Sequence, residues 1–437
     1  ISIDDNEQKN LNNICDEIFG EKNRVAIFPW RKRTAKSDVP FGVSQDYEWI
    51  ICYSKGSLFS GKIKGKGRNY YETPDFPGRP WRIHDMTKQT TASERPNSFF
   101  TMINPKNGDE FPCDPNRTWR ITKDTFKKYY DENEIVFPGD YKFLKITKPQ
   151  ARYFKDKDQE KDGDSFGKVA LSTKLPEDIG MSQNGTKDIK NIFGAIPFSF
   201  PKPVSLIKYI LAASTFNNSI VLDFFSGSST TAHAVMKLNS EDGGNRKFIM
   251  VQLPETCDEK SEAYKAGYKT ICDIGKERIR RAGDKIVSEM KSTEGDLFTE
   301  SKPELDIGFK VFQLDSTNIK PWDSEIQIDE DELTNFSDVF KEDRTKEDIL
   351  YEIMLKYGVF DEPVTEEVVN GKTMYRVGKR HMLVCLEDDI TTLDVKAIGE
   401  LKPKVVIFKD SGFRNDNDKI NAVYNLKNAG IEDVKSI

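Results

Sequence analysis

The stretch that decides the fold is Ile220-Val221-Leu222-Asp223-Phe224-Phe225-Ser226-Gly227-Ser228-Ser229-Thr230-Thr231-Ala232-His233. It reads as an apolar strand that ends in an acid, followed by small residues that open a helix. Such a turn lets a ligand lie close to the backbone and accept hydrogen bonds from the unpaired N–H groups of the helix. We therefore predict a nucleoside-cofactor site here. The alternative is a tight structural turn in which Ser228 or Ser229 caps the helix.

A second strand, Phe248–Leu253, follows the helix and ends near Glu255. Strand, helix and strand in this order predict a βαβ unit with a parallel sheet. A carboxylate at Glu255 would emerge beside the turn and accept hydrogen bonds from ribose hydroxyls. Gly227 and Glu255 are 28 residues apart, against roughly 20 in the usual dinucleotide pattern, and the polar loop Asn239–Asn245 explains the excess. A nicotinamide-dependent oxidoreductase is a weaker alternative, because the turn lacks G-x-G-x-x-G.

The composition changes along the chain and predicts five segments. They are 1–55, part of an α/β core; 56–190, an inserted loop-rich module with many Gly, Lys, Pro and aromatic residues; 191–291, the βαβ half of the core; 292–345, an acidic linker, solvated or forming a surface face; and 346–437, a smaller α/β domain. Local patterns predict single elements within them. The first helix places Leu11, Ile14, Cys15 and Ile18 on one face and ends at Gly20, and strands are predicted at Val25–Trp30, Tyr47–Tyr53 and Val405–Phe408. Two further helices are predicted to begin at Pro203 and at a Thr345–Asp348 capping box. Helices are predicted to end at Gly358 and Gly430, and a hairpin is predicted near Gly378-Lys379.

Composition and charge restrict the class of protein. With 437 residues, 37% hydrophobic and 32% charged, the chain is long enough for two or three globular domains. Residues 51–150 carry 18 Lys and Arg against 12 Asp and Glu, whereas residues 301–400 carry 12 against 24. The first of these regions suits phosphates and the second does not.

The six cysteines include no C-x-x-C pair, so they support neither a zinc site nor a disulfide framework and favour a reducing cytoplasm. No apolar stretch is long enough for a membrane span. The first residues, Ile1-Ser2-Ile3-Asp4-Asp5, carry no methionine and no signal-peptide pattern. We interpret this start as one inside a domain.

The turn resembles a known motif. Asp223-Phe224-Phe225-Ser226-Gly227-Ser228-Ser229-Thr230-Thr231 is similar to the S-adenosylmethionine motif D-x-F-x-G-S-x-T-T of the β-class DNA amino-methyltransferases, and its continuation through Val235 resembles the Mod subunits of type III restriction-modification systems. Other segments resemble Mod sequence in the same order. They are Ile3–Glu7 with Asp16–Glu21, Phe200–Pro203, Gly243–Phe248, Val251–Glu255, Gly275–Gly283 and Asp410–Phe413.

The resemblance implies an α/β fold with a Rossmann-like mixed sheet, an inserted target-recognition module at 56–190 and the smaller C-terminal α/β domain. The implied activity is transfer of a methyl group from S-adenosyl-L-methionine to N6 of adenine in double-stranded DNA. Carried over by position, the implied site is a cofactor loop of Asp223, Phe225, Gly227 and Ser228, with Glu255 on the ribose and Lys202 and Pro203 over the methionine end. Ser229 stands where many relatives have glycine.

Partners are also implied by the resemblance. The acidic stretch and the body after residue 345 are similar to Mod regions used for Mod homodimerisation and for contact with the Res helicase-nuclease subunit. Such a protein acts on double-stranded DNA in the cytoplasm.

One family motif is absent from the 437 residues. In these enzymes D-P-P-Y, or a close variant, supplies acceptors for the adenine amino group and a ring that stacks on the flipped base. The segments nearest to it, Asp114-Pro115-Asn116-Arg117 and Asn104-Pro105-Lys106-Asn107, lack the aromatic residue and are predicted to be turns. We therefore predict no catalytic residue and no methyl transfer by this chain, as for a fragment of a longer enzyme. The alternative is a non-catalytic subunit for DNA recognition and assembly.

Several other residues have a structural interpretation as well as a functional one. His233 is interpreted as a core or capping residue. Tyr70, Tyr71, Trp81 and Trp119 are local core or, alternatively, base-stacking residues. Arg278, Arg280 and Arg281 form a basic helical face, either solvated or laid along phosphate.

Overall fold

A computed structural model describes residues 1–34, 42–56, 59, 61–65, 67–293, 304–320, 339–379 and 381–437. The chain forms two compact units, Ile1–Phe309 and Lys310–Ile437. The division between them falls inside the segment 292–345 that the sequence predicts as a linker. The five predicted segment boundaries remain predictions.

The first unit contains the elements of the predicted core and insert. Its helices are α1 (Gln8–Phe19), α2 (Lys123–Asp131), α3 (Lys155–Asp162), α4 (Ser182–Phe193), α5 (Val204–Ser214), α6 (Thr230–Asp242), α7 (Glu262–Lys265) and α8 (Ile271–Thr293). Its strands are β1 (Ser2–Ile3), β2 (Arg24–Arg31), β3 (Tyr47–Tyr53), β4 (Lys62–Lys64), β5 (Trp81–Asp85), β6 (Thr87–Lys88), β7 (Met102–Ile103), β8 (Glu110–Phe111), β9 (Thr118–Trp119), β10 (Ile135–Val136), β11 (Gln150–Phe154), β12 (Lys168–Ala170), β13 (Ile220–Asp223) and β14 (Lys247–Met250).

The first 55 residues form an antiparallel sheet in the order β1–β3–β2. The two longer strands lie where the sequence predicts them, and α1 ends before Gly20, which has a φ of 86°. Only Cys15 of the predicted apolar stripe on α1 is buried, whereas Ile14 and Ile18 are exposed. The spacing of the apolar residues therefore predicted the helix correctly, but it did not predict which of them are buried in the part of the chain that the structure describes.

The described part of residues 56–190, the predicted insert, consists of loops and short elements held by small antiparallel sheets. Their orders are β10–β11–β5, β12–β4, β6–β9 and β7–β8. Trp81 and Trp119 are buried in two aromatic clusters, and Trp81 donates its indole N–H to Thr73 Oγ1 at 2.8 Å. The core interpretation of these two tryptophans is confirmed, because buried rings cannot stack on bases.

The predicted βαβ unit is present. Strands β13 and β14 are parallel, with Ile220 opposite Lys247 and Asp223 opposite Met250, and α6 connects them. Helices α5 and α6 cover one face of β13 through Val221, while Ile220 and Leu222 are exposed. The α/β class is confirmed. Within the described residues β13–β14 and β1–β3–β2 are separate sheets, so a continuous Rossmann-like mixed sheet remains a prediction.

The predicted acidic linker is not wholly solvated. Leu305, Ile307 and Phe309 alternate with exposed residues and pack against the buried faces of α6 and α8. At Gly283 of α8 a Cβ atom would lie 2.9 Å from the Cβ of Ile307, so this contact requires glycine. Residues 305–309 thus pack on the first unit at their apolar positions, while the assignment of 292–345 as a linker stays a prediction. The acidic run 329–332 lies outside the described residues.

The second unit is a smaller α/β body. Its elements are α9 (Lys346–Lys356), β15 (Val364–Val369), β16 (Lys372–Val377), β17 (Met382–Cys385), α10 (Thr392–Leu401), β18 (Val405–Phe408), α11 (Asp416–Asn428) and β19 (Asp433–Ser436). These strands form one sheet in the order β15–β16–β17–β18–β19. The pairs β15–β16 and β16–β17 are antiparallel, and the pairs β17–β18 and β18–β19 are parallel. The Thr345–Asp348 capping box is present, as is the hairpin that connects β16 to β17.

None of the helices in the described ranges is both long enough and apolar enough to cross a lipid bilayer.

Candidate cofactor site

The turn between β13 and α6 has two left-handed residues. Gly227 has a φ of 50°, and Ser229 has φ 60° and ψ 40°. For a residue with a Cβ this conformation costs about 1–2 kcal/mol, so contacts must hold Ser229 in place. A Cβ on Gly227 would lie 3.2 Å from Cζ of Phe198. The left-handed backbone therefore favours glycine at this position, and a larger residue would also press on the ring of Phe198.

The acid at the end of β13 fixes both sides of the turn. Asp223 Oδ1 accepts a hydrogen bond from the N–H of Phe225 at 3.2 Å, and its Oδ2 accepts one from Thr231 Oγ1 at 2.5 Å. The carboxylate thus connects the start of the turn to the first residues of α6. A strand that ends in Asp, followed by small hydroxyl residues, gives this arrangement locally.

The carboxyl end of β14 completes the turn. The N–H of Ser226 donates to the carbonyl of Val251 at 3.1 Å, and the N–H of Gly227 donates to Gln252 Oε1 at 2.7 Å. Several amides that the sequence predicts to be available to a ligand are therefore paired within the chain. Gln252 was not predicted as a site residue. Its sequence signals are a polar side chain near the end of the second predicted strand and its place in the Mod-like segment Val251–Glu255.

Apolar side chains surround the polar turn and are open to solvent. Phe225 is 81% exposed, and its ring centroid lies 5.1 Å from that of Phe224, which is also exposed. Leu253, beyond β14, is exposed as well. Large exposed apolar groups around a few polar ones are typical of a ligand surface. Ser228, by contrast, is buried.

Glu255 lies after the end of β14 with an exposed side chain. Its backbone carbonyl accepts a hydrogen bond from the N–H of Ile271 at 3.0 Å, which anchors the segment to the start of α8. Its carboxylate has no hydrogen bond among the described residues. The carboxylate is thus open to a ligand, although the ribose contact itself stays a prediction.

Lys202 and Pro203 connect to other parts of the core. Pro203 is the N-cap of α5, with a φ of −69°, so the helix begins at Val204, one residue after the predicted start. The Lys202 ammonium pairs with Glu48 of β3 and lies 4.8 Å from the ring centroid of Trp30. The N–H of Val204 donates to Asp188 of α4 at 2.9 Å. These contacts are made with β3 and α4 and not with the turn. The structure therefore brings Asp223, Phe225, Gly227 and Ser228 together in one turn, whereas Lys202 makes no hydrogen bond or ion pair with them within the described residues.

Arg278 is not part of a surface face. Its side chain is fully buried, and Nη1 donates to Ser228 Oγ at 2.7 Å and to Thr230 Oγ1 at 2.6 Å. The prediction of a solvated or phosphate-binding face is wrong for Arg278, because α8 turns this residue toward α6. Arg280 and Arg281 remain largely exposed and pair with Glu277.

His233, in the first turn of α6, is not suited to acid–base chemistry at neutral pH. Burial, together with the nearby charge of Arg278, lowers its pKa to about 3. Its Nδ1 atom is buried and has no hydrogen-bond partner among the described residues. The imidazole is therefore neutral at pH 7, in accord with the structural interpretation.

Comparison with known proteins shows the family of the chain. The family model of DNA methylases, the N6 and N4 methyltransferases, matches residues 1–282. The chain belongs to the DNA methylase family. Within that family it is of the Mod type, as the sequence analysis predicted.

Three relatives carry that assignment. The Mod subunit of the type III restriction-modification enzyme StyLTI from Salmonella typhimurium is 32% identical over 303 residues, which cover 68% of this chain and 44% of the relative. The EcoP15I Mod subunit from Escherichia coli is 30% identical over a match that covers 72% of this chain and 49% of the relative. The EcoPI Mod subunit from Escherichia phage P1 is 29% identical over a match that covers 95% of this chain and 66% of the relative. The chain thus spans about half to two thirds of the length of these curated relatives.

Proposed function

We propose that the turn between Asp223 and Ser229 binds S-adenosyl-L-methionine, and that the chain is the cofactor-binding and DNA-recognition part of an adenine-N6 DNA methyltransferase. The single observation that carries the proposal is the turn itself: a left-handed glycine at the carboxyl ends of two parallel strands, beside exposed aromatic rings. This is the position in which α/β sheets bind nucleoside cofactors. Asp223, Phe225, Gly227, Ser228 and Glu255 are the proposed contacts.

Lys202 and Pro203 are proposed to lie over the methionine end of the cofactor. The observation that favours this role is the fixed position of Lys202, whose ammonium is held by Glu48 and the ring of Trp30. A lysine that is already oriented loses less conformational freedom when it meets a carboxylate.

Double-stranded DNA is the proposed substrate of the insert. This module holds the positive part of the chain, and Lys123, Lys127, Lys128, Lys142 and Lys145 are exposed on it. Lysine contacts to phosphates position a protein on DNA, whereas base contacts select the sequence. The type III enzymes to which the matched Mod subunits belong, restriction-modification enzymes by name, support DNA as the partner.

Methyl transfer by these 437 residues alone is not proposed. The amino nitrogen of adenine is a poor nucleophile because its lone pair is delocalised into the purine. Without acceptors aimed at its hydrogens, the positive charge that develops on it is not stabilised. Because D-P-P-Y is absent from the sequence, a non-catalytic role in DNA recognition and assembly is the second candidate. A Mod homodimer and a Res helicase-nuclease subunit are the proposed partners of the second unit.

The test of cofactor binding is calorimetric titration with S-adenosylhomocysteine and with a nicotinamide dinucleotide. We expect the chain to bind the first and not the second. Gly227→Ala should weaken binding at least about tenfold, because the added Cβ meets Phe198 and the backbone is left-handed. Gly243→Ala is the matched control, since Gly243 has a φ of 70° with open space around it. Preference for the dinucleotide, or equal losses of affinity in both variants, would overturn the proposal.

A separate assay distinguishes the two candidate roles. Transfer of a labelled methyl group from S-adenosylmethionine to duplex DNA is expected to be undetectable with the 437-residue chain. Measurable transfer would refute the non-catalytic role and show that other residues replace D-P-P-Y.

A further inference from the structure

Helix α8 supports the candidate turn through two residues that the proposed function does not use. Gly275 and Arg278 are three residues apart and therefore share one face of the helix. Nη1 of Arg278 donates to Ser228 Oγ at 2.7 Å and to Thr230 Oγ1 at 2.6 Å, and lies 3.5 Å from the carbonyl oxygen of Ser228. One guanidinium nitrogen thus bridges the two neighbours of Ser229.

Ser229 needs such support because of its backbone. A serine at φ 60° and ψ 40° is in a conformation that residues with a Cβ disfavour. Strained residues persist where the surrounding structure fixes them. Arg278 fixes the residues on both sides of Ser229. Gly275 lets the helix come close enough, because a Cβ there would lie 2.7 Å from Ser229 Oγ.

Stability alone does not explain a buried arginine at this place. Arg278 is 0% exposed, and its Nε and Nη2 atoms are buried without a hydrogen-bond partner among the described residues. The negative charge of Asp188 acts on it, but burial dominates and lowers its pKa to about 10, so it is protonated at neutral pH. Burial of a charge with too few partners costs free energy, and an apolar residue of similar volume would not carry this cost. The hydrogen bonds to the turn are what an apolar residue could not supply.

We propose that Arg278 is a positioning residue for the cofactor turn, which holds Ser228, Ser229 and Thr230 in the conformation that binds the cofactor, and that Gly275 provides the space for it. The inference rests on the proposed function, S-adenosylmethionine binding at this turn.

The first test replaces the guanidinium in the full chain. Arg278→Met keeps most of the volume and removes the donors, Arg278→Lys keeps a charge and a shorter donor, and Arg280→Met is the matched control on an exposed position of the same helix. Two quantities are measured: amide hydrogen exchange of residues 224–231 without ligand, and the affinity for S-adenosylhomocysteine. For Arg278→Met we expect about tenfold faster exchange and about tenfold weaker binding, with a thermal midpoint at or above that of the unchanged chain. Arg278→Lys should recover part of both, and Arg280→Met should change neither.

The second test changes Gly275 instead and stays valid even when the Arg278 variants fail to fold. Gly275→Ala improves the helix propensity of α8 but places a methyl group against Ser229 Oγ. We expect a several-fold loss of affinity and faster exchange of the turn. Adding Ser229→Gly removes the hydroxyl and the backbone strain together, so the double variant Ser229→Gly/Gly275→Ala should return to within about twofold of the original affinity.

The two readouts separate this inference from the proposed function. If the unchanged chain does not bind S-adenosylhomocysteine, the proposed function fails, while the exchange rates still decide the role of Arg278. Unchanged exchange of residues 224–231 in both Arg278→Met and Gly275→Ala, or equal effects of Arg278→Met and Arg280→Met, would overturn the inference. Loss of binding in Gly275→Ala without recovery in the double variant would overturn the role of Gly275.

Discussion

At the scale of single residues, the exposed carboxylate of Glu255 tests whether a ribose is held beyond β14. Its side chain is solvent-accessible and has no hydrogen-bond partner among the described residues, so Glu255→Gln removes little that the fold needs. A hydrogen bond to a charged group contributes about 1.5–3 kcal/mol. We therefore expect S-adenosylhomocysteine to bind at least about tenfold more weakly, measured by titration calorimetry. Glu259→Gln, also exposed and four residues on, is the control. Equal affinity in Glu255→Gln would remove this residue from the site.

His233 makes a prediction about acid stability. Its pKa is lowered to about 3 in the folded chain, whereas an unfolded histidine titrates near 6.5. Between these values the unfolded state binds more protons, so the free energy of unfolding falls as the pH falls, by up to about 1.4 kcal/mol per unit. His233→Gln should flatten the pH dependence of stability between about 6.5 and 3, as measured by urea denaturation. An identical slope in both proteins would contradict the burial of a neutral imidazole.

At the scale of elements, the segment from Leu305 to Phe309 belongs to the first unit. Its three apolar side chains pack on α6 and α8, the helices that carry the turn and Arg278. A chain that ends after Phe309 should therefore be more stable than one that ends at residue 300, by about 2 kcal/mol or more if the three side chains are half buried. Chemical denaturation of the two truncated chains measures the difference. Equal free energies of unfolding would show that this packing does not stabilise the first unit.

At the scale of the whole molecule, charge divides the chain into a positive part, which we propose binds DNA, and an acidic part. Replacing Lys123, Lys127 and Lys128 of the insert by Gln should reduce the slope of log affinity against log salt by up to about 0.9 for each phosphate that the variant no longer neutralises. The same change at the exposed Lys396, Lys402 and Lys404 of the second unit alters net charge equally and should leave the slope unchanged. Fluorescence anisotropy with duplex DNA at several salt concentrations gives both slopes. Equal reductions would show that DNA binding follows net charge and not the insert.

Local patterns predicted much of this fold. The βαβ unit, the strands of the first 55 residues, the Thr345 capping box and the β16–β17 hairpin follow from spacing, caps and turn residues that lie close together in sequence. The shape of the turn follows from one contiguous stretch, whereas the cofactor role of its residues comes from the family resemblance and stays a proposal. Local patterns were sufficient because each of these features is decided within a few residues.

The remaining features depend on contacts between distant segments. Whether Ile14 or Arg278 is buried depends on what packs against α1 or α8, and the spacing of residues along one helix does not contain that information. Gln252 meets Gly227 only because β14 lies parallel to β13. At Leu305, Ile307 and Phe309 the alternation was present in the sequence, but the acidic composition around it indicated solvent.

The close approach of Gly275 to the hydroxyl of Ser229 constrains how these two positions change over evolutionary time. While serine occupies position 229, a methyl group at 275 forces the serine hydroxyl to move, so we expect glycine at 229 to be acquired before 275 is enlarged. The reverse order passes through an intermediate with a displaced turn. Substitutions at the two sites are therefore contingent, and alanine at 275 is expected in homologues only together with glycine at 229.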